Sequence, residues 1–402
     1  MPNLQTVTPA LTEARANTDT LFETVQSGFL YERPIPERHR LVFYVGHLEA
    51  FDWNLLREPL ELSAFEPSLD QLFAFGIDPP VGSAPQDQPA DWPSLATVGS
   101  YVARVRRELD RAIERAPETL LHVALEHRLM HAETLAYLFH QLPFEAKRGQ
   151  AAPPVSSGRA PEPRMIPIPA GTATLGRRHE DGFGWDNEFG EHTVEVPAFA
   201  ISQYKVTNGE YLEFVRQGAP APHFWKPRAG GFDYHGMFGD VPLPPDHPVY
   251  VTENEAAAYA AWRGKALPTE AQYHRAAFGT PEGGERAYPW GSGAPRAEHG
   301  NFDFSHWDPV PVTATPAGAS AFGVAQLAGN GWEWTATPFA PFPGFERFPF
   351  YPGYSANFFD GSHFVMKGGS PRTAAPLLRR SFRNWFRPDY PYVYAGFRLV
   401  EN

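Results

Sequence analysis

Cysteine is missing altogether from the 402 residues. Its absence removes a disulfide framework, a thiolate zinc site, an iron–sulfur cluster and a cysteine nucleophile from consideration. Long apolar runs are missing too, and none reaches the roughly 18–20 residues a membrane span needs. Positive charge is in deficit, with 34 Lys+Arg against 46 Asp+Glu and a formal net charge of −12. Phosphate-rich surfaces are gripped mostly by Lys and Arg, so nucleic acid and anionic membranes are excluded as main partners. Residues 1–16 carry neither a basic start nor an apolar stretch, so no signal peptide is expected and the chain reads as soluble and cytoplasmic.

Proline is what the chain has in quantity, 43 residues, and its uneven placement marks a boundary. Up to about residue 146 the apolar positions recur at a helical period. Leu11, Ala14, Leu21, Phe22 and Val25 define a first helix. A second is expected over His39–Arg57, a third over Pro93–Arg115 and a fourth over Glu118–Leu142, with a proline-rich excursion from Asp78 to Pro93. Four long helices predict a bundle. Residues 147–163, KRGQAAPPVSSGRAPEP, are poor in apolar side chains and read as a linker. From 164 to 402 short β-type runs (Met165–Ile168, Thr193–Val196, Phe199–Tyr204) alternate with Gly/Pro loops and two short helices, Asn208–Gln217 and Thr252–Arg263. This half is expected to be an irregular α+β domain, with an aromatic loop region over Pro338–Ser362.

The sharpest chemical signal is EHRLMH, which places His127 and His131 four residues apart on one helical face. His47, in YVGHLEAFDW on the second helix, can complete a three-histidine site inside the bundle, and Gly46 beside it allows close approach of another element. Such a facial site leaves coordination positions open for substrate and dioxygen. Metalloprotease chemistry of the HExxH type is disfavoured because Arg128 stands where its glutamate would be. His122 and His140 read as surface or supporting residues.

The second half carries a series of ordered motifs: IPIPAGTATLG, YKVTNGEYLEF, HPVYVTENEAAAYAAWRGKALPTEAQYHRAA, YPWG, LAGNGWEWT, VMKGGSPR and YAGFRLV. In that order they resemble the formylglycine-generating-enzyme/sulfatase-modifying-factor family. The resemblance implies a C-type-lectin-like α+β fold over 164–402, preceded by a DinB-like four-helix bundle over 1–146. Formylglycine generation itself needs active-site cysteines and is excluded.

A histidine-bearing DinB-like bundle joined to this second domain resembles the ergothioneine/selenoneine synthase family, along the whole chain. The resemblance implies a non-haem iron(II) enzyme that uses O2 to join a chalcogen to the imidazole of hercynine. By matching motifs, the iron ligands would be His47, His127 and His131. The segment Phe382–Trp385, FRNW, matches the betaine-binding segment. It implies a carboxylate partner in Asn384 and a cation–π partner for the trimethylammonium in Trp385, with Arg383 beside them. A proton-donating tyrosine is implied in the aromatic loop, as Tyr351 or Tyr354. A structural Ca2+ in this domain stays open.

Departures from the ergothioneine pattern bear on the donor. Phe386 stands where an aspartate would hold the ammonium of γ-glutamylcysteine. Val102 and Val105 stand where carboxylate-binding arginines are expected, with Arg104, Arg106 and Arg107 adjacent, and Met130 replaces a glutamine before the last histidine. A site without these anchors suits an uncharged selenosugar, 1-seleno-β-D-glucose, giving a selenoxide, and the chain looks closest to the selenoneine branch. The alternatives are γ-glutamylcysteine or cysteine as donor, a DinB-type thiol transferase using zinc or nickel, and a non-enzymatic lectin-like binding module. An active site drawing on both halves is expected.

Overall fold

In the computed structural model, residues 4–76 and 85–402 are described. Two compact units divide the chain at Gln150/Ala151. Among the described residues, no helix is long and apolar enough to cross a membrane.

Among its described residues the first unit holds five α-helices rather than four: α1 (Leu4–Glu23), α2 (Leu41–Leu56), α3 (Pro67–Phe75), α4 (Leu95–Asp110) and α5 (Glu118–His140). The expected apolar stripe is buried, with Leu11, Ala14, Leu21, Val25, Leu121, Leu125, Leu129, Leu135 and Leu138 all in the core. α1 packs on α5, and α2 lies against α3, α4 and α5. The additional helix α3 is short and opens on Pro67, which presets the first helical φ. Its Phe73 packs over Gly46, where a Cβ would meet the Phe73 ring at 2.4 Å. The close approach expected at this glycine is that of α3.

Helix ends differ from the expected ones for local reasons. α2 starts at Leu41 because Arg40 is extended (φ −62, ψ 153) and its guanidinium is held by the Asp87 and Tyr31 carbonyls. α4 starts at Leu95, where the Ser94 hydroxyl accepts from the Thr97 amide at 3.2 Å, and it ends at Asp110, five residues early. Within the proline-rich excursion, residues 77–84 lie outside the described residues. The remainder gathers on the buried carboxylate of Asp87, which accepts from Trp92 Nε1 at 2.7 Å and pairs with Arg33 and Arg40.

The expected linker is committed at both ends. The Arg148 amide donates to the Thr24 carbonyl at 2.7 Å in the first unit. Ser156 and Ser157 donate to the buried Asp246 at 2.6 and 2.7 Å in the second.

In the second unit the strands are β1 (Met165–Ile168), β2 (Gly171–Leu175), β3 (His192–Val196), β4 (Phe199–Ser202), β5 (Trp225–Arg228), β6 (Gly231–His235), β7 (Asp240–Pro242), β8 (Trp332–Pro338), β9 (Phe364–Lys367), β10 (Asn384–Phe386), β11 (Ala395–Gly396) and β12 (Val400–Glu401). They form small sheets in the orders β1-β4-β12, β10-β9-β8-β11, β2-β3 and β5-β6-β7. Three helices accompany them, α6 (Asn208–Arg216), α7 (Glu253–Trp262) and α8 (Glu270–Phe278), each opened by a threonine capping box. α8 is one more than expected. Its Tyr273, Ala276 and Ala277 pack with Ile168, Ala173, Ile201 and Leu327 in the main core. A fully buried triad, Lys205–Glu333–Arg398, sits beside that core, with Lys205 Nζ 2.9 Å and Arg398 Nε 2.7 Å from the Glu333 carboxylate.

Candidate metal centre and the aromatic loop

Helical spacing puts His127 and His131 on one face of α5, and α2 brings His47 to meet them. One ring nitrogen from each lies within 4.8 Å of the other two. The His47–His131 and His127–His131 ring centroids are 4.9 and 4.4 Å apart. His47 Nδ1 lies 2.7 Å from the Phe73 carbonyl of α3, so Nδ1–H donates there and the Nε2 lone pair is left for a ligand. Aromatic rings wall the cluster. Phe51 stacks on His127 at 3.4 Å and Phe43 on His47 at 4.7 Å.

Burial keeps all three imidazoles neutral. It lowers His47 to about 4, against the opposing pull of the Phe73 carbonyl. It also drives His127 and His131 well below their ordinary value, with neighbouring histidines adding to the effect. Tyr44, near His131, is pushed up to about 12 by the same desolvation. Neutral imidazoles are the ligating form. His131 Nδ1 is buried with no hydrogen-bond partner among the described residues. Three converging neutral nitrogen donors without a thiolate fit a divalent transition ion with open positions.

The nearby carboxylates are committed elsewhere. Arg128 turns away from the histidines and donates to Asp52 Oδ2 and the Leu48 carbonyl, both at 2.9 Å, with Glu49 at 3.1 Å. Arg15 and Arg106 extend this buried network to Asp110 and Asp19.

In the second unit, β10 carries Asn384, Trp385 and Phe386. Phe339 stacks on one face of Trp385 at 4.2 Å, so a cation can use only the other. Tyr354 meets the Trp385 ring edge-on at 5.5 Å and Phe358 lies 5.6 Å away. Asn384 Oδ1 accepts from the Trp385 amide at 2.9 Å.

Residues 150–402 match the sulfatase-modifying factor enzyme 1-like domain, and residues 10–145 match the DinB superfamily. Hercynine oxygenase of Mycolicibacterium thermoresistibile is 36% identical over 398 residues, covering 89% of this chain and 85% of that protein. The hercynine oxygenase of Mycolicibacterium smegmatis is 35% identical over 337 residues, covering 75% and 77%. This chain belongs to the hercynine oxygenase family. Ergothioneine biosynthesis protein 1 of Neurospora crassa is 28% identical, covering 93% of this chain and 55% of that longer protein. The two matched domains are the DinB-like bundle and the lectin-like domain that the motifs imply.

Set against the hercynine oxygenase family reading, several expected site residues are placed differently. Arg383 is 2% exposed and belongs to the interior. Its guanidinium pairs with Glu270 at 3.1 and 3.2 Å and donates to the Ala340 carbonyl at 3.0 Å, so its donors are engaged within the second unit. Val105 is fully buried in the bundle core, where an arginine would have no room. Arg106 is tied to Glu49 and Asp19, and Arg104 lies over the Phe65 ring at 4.1 Å. His140 is completely buried and so is not the surface residue that was one of its two expected readings, and neither it nor His122 joins the trio. Met130 is half-buried on α5 next to His131, and Phe386 stacks on Tyr390 at 5.1 Å. Tyr354 is buried and stacked on Trp185 at 4.0 Å, whereas Tyr351 is half-exposed. Sequence reasoning missed the Trp185–Glu188 turn, WDNE, which is wholly buried. Its signal was three polar residues in a row flanked by Trp185 and Phe189.

Proposed function

We propose that the protein is a non-haem iron(II), O2-dependent enzyme that joins the imidazole of hercynine to a selenosugar. The observation that carries the reading is the convergence of His47, His127 and His131 in a chain of the hercynine oxygenase family. In the overall balance, the selenol hydrogen and the imidazole C–H hydrogen leave as water with one oxygen atom. The other oxygen becomes the selenoxide. Bound iron(II) would supply the dioxygen chemistry.

The chain's own groups would do the rest. The Phe73 carbonyl fixes the tautomer of His47. The face of Trp385 away from Phe339 would receive the trimethylammonium, which has no N–H to donate and is attracted to a π face. Asn384 offers its amide to the betaine carboxylate. Tyr351, the more accessible of the two candidate tyrosines, holds the proton to be delivered.

Two features favour the uncharged donor. Phe386 offers no ion pair to an ammonium, and of the arginines beside Val102 and Val105, Arg106 is paired with Glu49 and Asp19 and Arg104 lies over Phe65. Burying an ammonium and carboxylates without anchors costs several kcal/mol. A second reading, γ-glutamylcysteine or cysteine as donor and a sulfoxide product, is favoured by the relative named for ergothioneine biosynthesis.

The test loads iron anaerobically, then adds O2, hercynine and equal concentrations of selenoglucose and γ-glutamylcysteine, with product masses read out. The selenoxide should dominate, and Phe386→Asp should move preference toward the amino-bearing donor. A dominant sulfur product overturns the selenosugar assignment. Turnover without O2 consumption would overturn the oxygenase reading in favour of a thiol transferase.

A further inference from the structure

The turn that the sequence motifs passed over ties the two halves of the aromatic site together. Trp185–Glu188 is closed on itself, the Trp185 amide donating to Glu188 Oε1 at 2.9 Å. Glu188 then accepts from Ser381 Oγ at 2.6 Å and Arg379 Nε at 2.8 Å, just ahead of the Trp385 strand. On the other side Asp186 accepts from Ser355 Oγ at 2.6 Å, and Trp185 stacks on Tyr354. Trp185 also meets Tyr351 edge-on at 6.4 Å. Asp186 is fully buried, and its second oxygen has no hydrogen-bond partner among the described residues. Glu188 needs no further role, since the Arg379 guanidinium neutralises it. Among the described residues Asp186 has no ion-pair partner, only hydroxyl and amide donors. A buried carboxylate held without a counter-charge is costly, and such groups cluster where chemistry uses them.

We infer that Asp186 is a positioning residue for the reaction, fixing the Tyr351–Ser355 segment through Ser355 and setting the electrostatic surroundings of the Tyr351 hydroxyl. The inference rests on the reading of Tyr351 as the proton donor. The direction of the titrations agrees: burial raises Tyr351 above its ordinary value, and the Asp186 charge raises it further. The other charges around the turn, Glu188 with Arg379 and Arg383 with Glu270, are paired. The Tyr351 hydroxyl therefore stays protonated to higher pH than a free tyrosine.

Asp186→Asn keeps an oxygen for the Ser355 hydroxyl and removes the charge. Two readouts separate positioning from mere support. In the metal-free protein, near-ultraviolet alkaline titration of matched pairs with and without Tyr351→Phe isolates the ionisation of Tyr351. It should move down by about one pH unit in Asp186→Asn. In the iron-loaded enzyme, kcat should fall several-fold with the KM for hercynine unchanged, and the alkaline limb of the kcat profile should move down with it. Ser355→Ala should lower kcat in the same way without moving the titration, and it carries the test should Asp186→Asn fail to fold. Wild-type titration and kcat in Asp186→Asn, with Tyr351→Phe impaired, would overturn the role of Asp186. Wild-type kcat in Tyr351→Phe would instead remove Tyr351 as donor, and the proposal with it.

Discussion

Acid should destabilise the metal-free protein through its histidine trio, and His47 gives the size of the effect. Unfolded, His47 titrates at 6.5; folded, burial lowers it to about 4. The unfolded chain therefore takes up the proton first as pH falls, and the loss of stability begins near 6.5 and runs down through 4. At roughly 1.4 kcal/mol per pH unit, His47 alone withdraws roughly 3 kcal/mol over that window. His127 and His131 are shifted in the same direction and steepen the loss. The perturbation is His47→Asn, whose side-chain amide can still donate to the Phe73 carbonyl but does not titrate. Urea unfolding, followed by helical circular dichroism between about pH 8 and pH 4, should show wild type losing roughly 3 kcal/mol more than the variant. Added divalent metal binds the neutral rings, so it should carry the wild-type loss to lower pH. Parallel wild-type and variant curves would refute the claim that His47 is buried in its neutral form.

Arg128→Met should cost roughly 3–5 kcal/mol in urea unfolding at neutral pH, because Glu49 and Asp52 are left buried beside a lost charge; a cost under about 1 kcal/mol would show that Arg15 and Arg106 suffice. Trp385→Ala should raise the hercynine dissociation constant roughly 2- to 30-fold in calorimetry, with Trp385→Phe losing less. Equal affinities in both variants would make Trp385 a packing residue only.

The metal trio was legible because its information is local and periodic. An i,i+4 pair on a helix is one face by geometry, and one further histidine sat in a helical segment next to a glycine. The helix that makes that glycine matter was not legible. α3 has nine residues and a proline start, too little periodicity to stand out, yet it supplies the carbonyl that orients His47. The pairing of Arg383 was hidden for the opposite reason. A cation inside a recognisable motif invites a ligand role, and its true partner Glu270 lies 113 residues away. Asp186 belongs to the same class. It is 169 residues from Ser355, and a run of three polar residues reads locally as a surface loop. Packing partners at such separations are set by tertiary structure, which no window along the chain contains.

The sheet order β1-β4-β12 has a consequence for synthesis. β4 is completed only when Val400 and Glu401 pair with Ile201 and Ala200, and the Leu399 amide reaches Ser202 across 197 residues. Glu333 must likewise be present before the buried charge of Lys205 is compensated, and Arg398 pairs with the same carboxylate. On the ribosome the second unit therefore waits for its last strand, whereas the helical bundle closes on segments no later than residue 150. The three histidines can converge while the rest of the chain is still being made. The histidine cluster and the sheets of the second unit thus mature at different times in the life of one molecule.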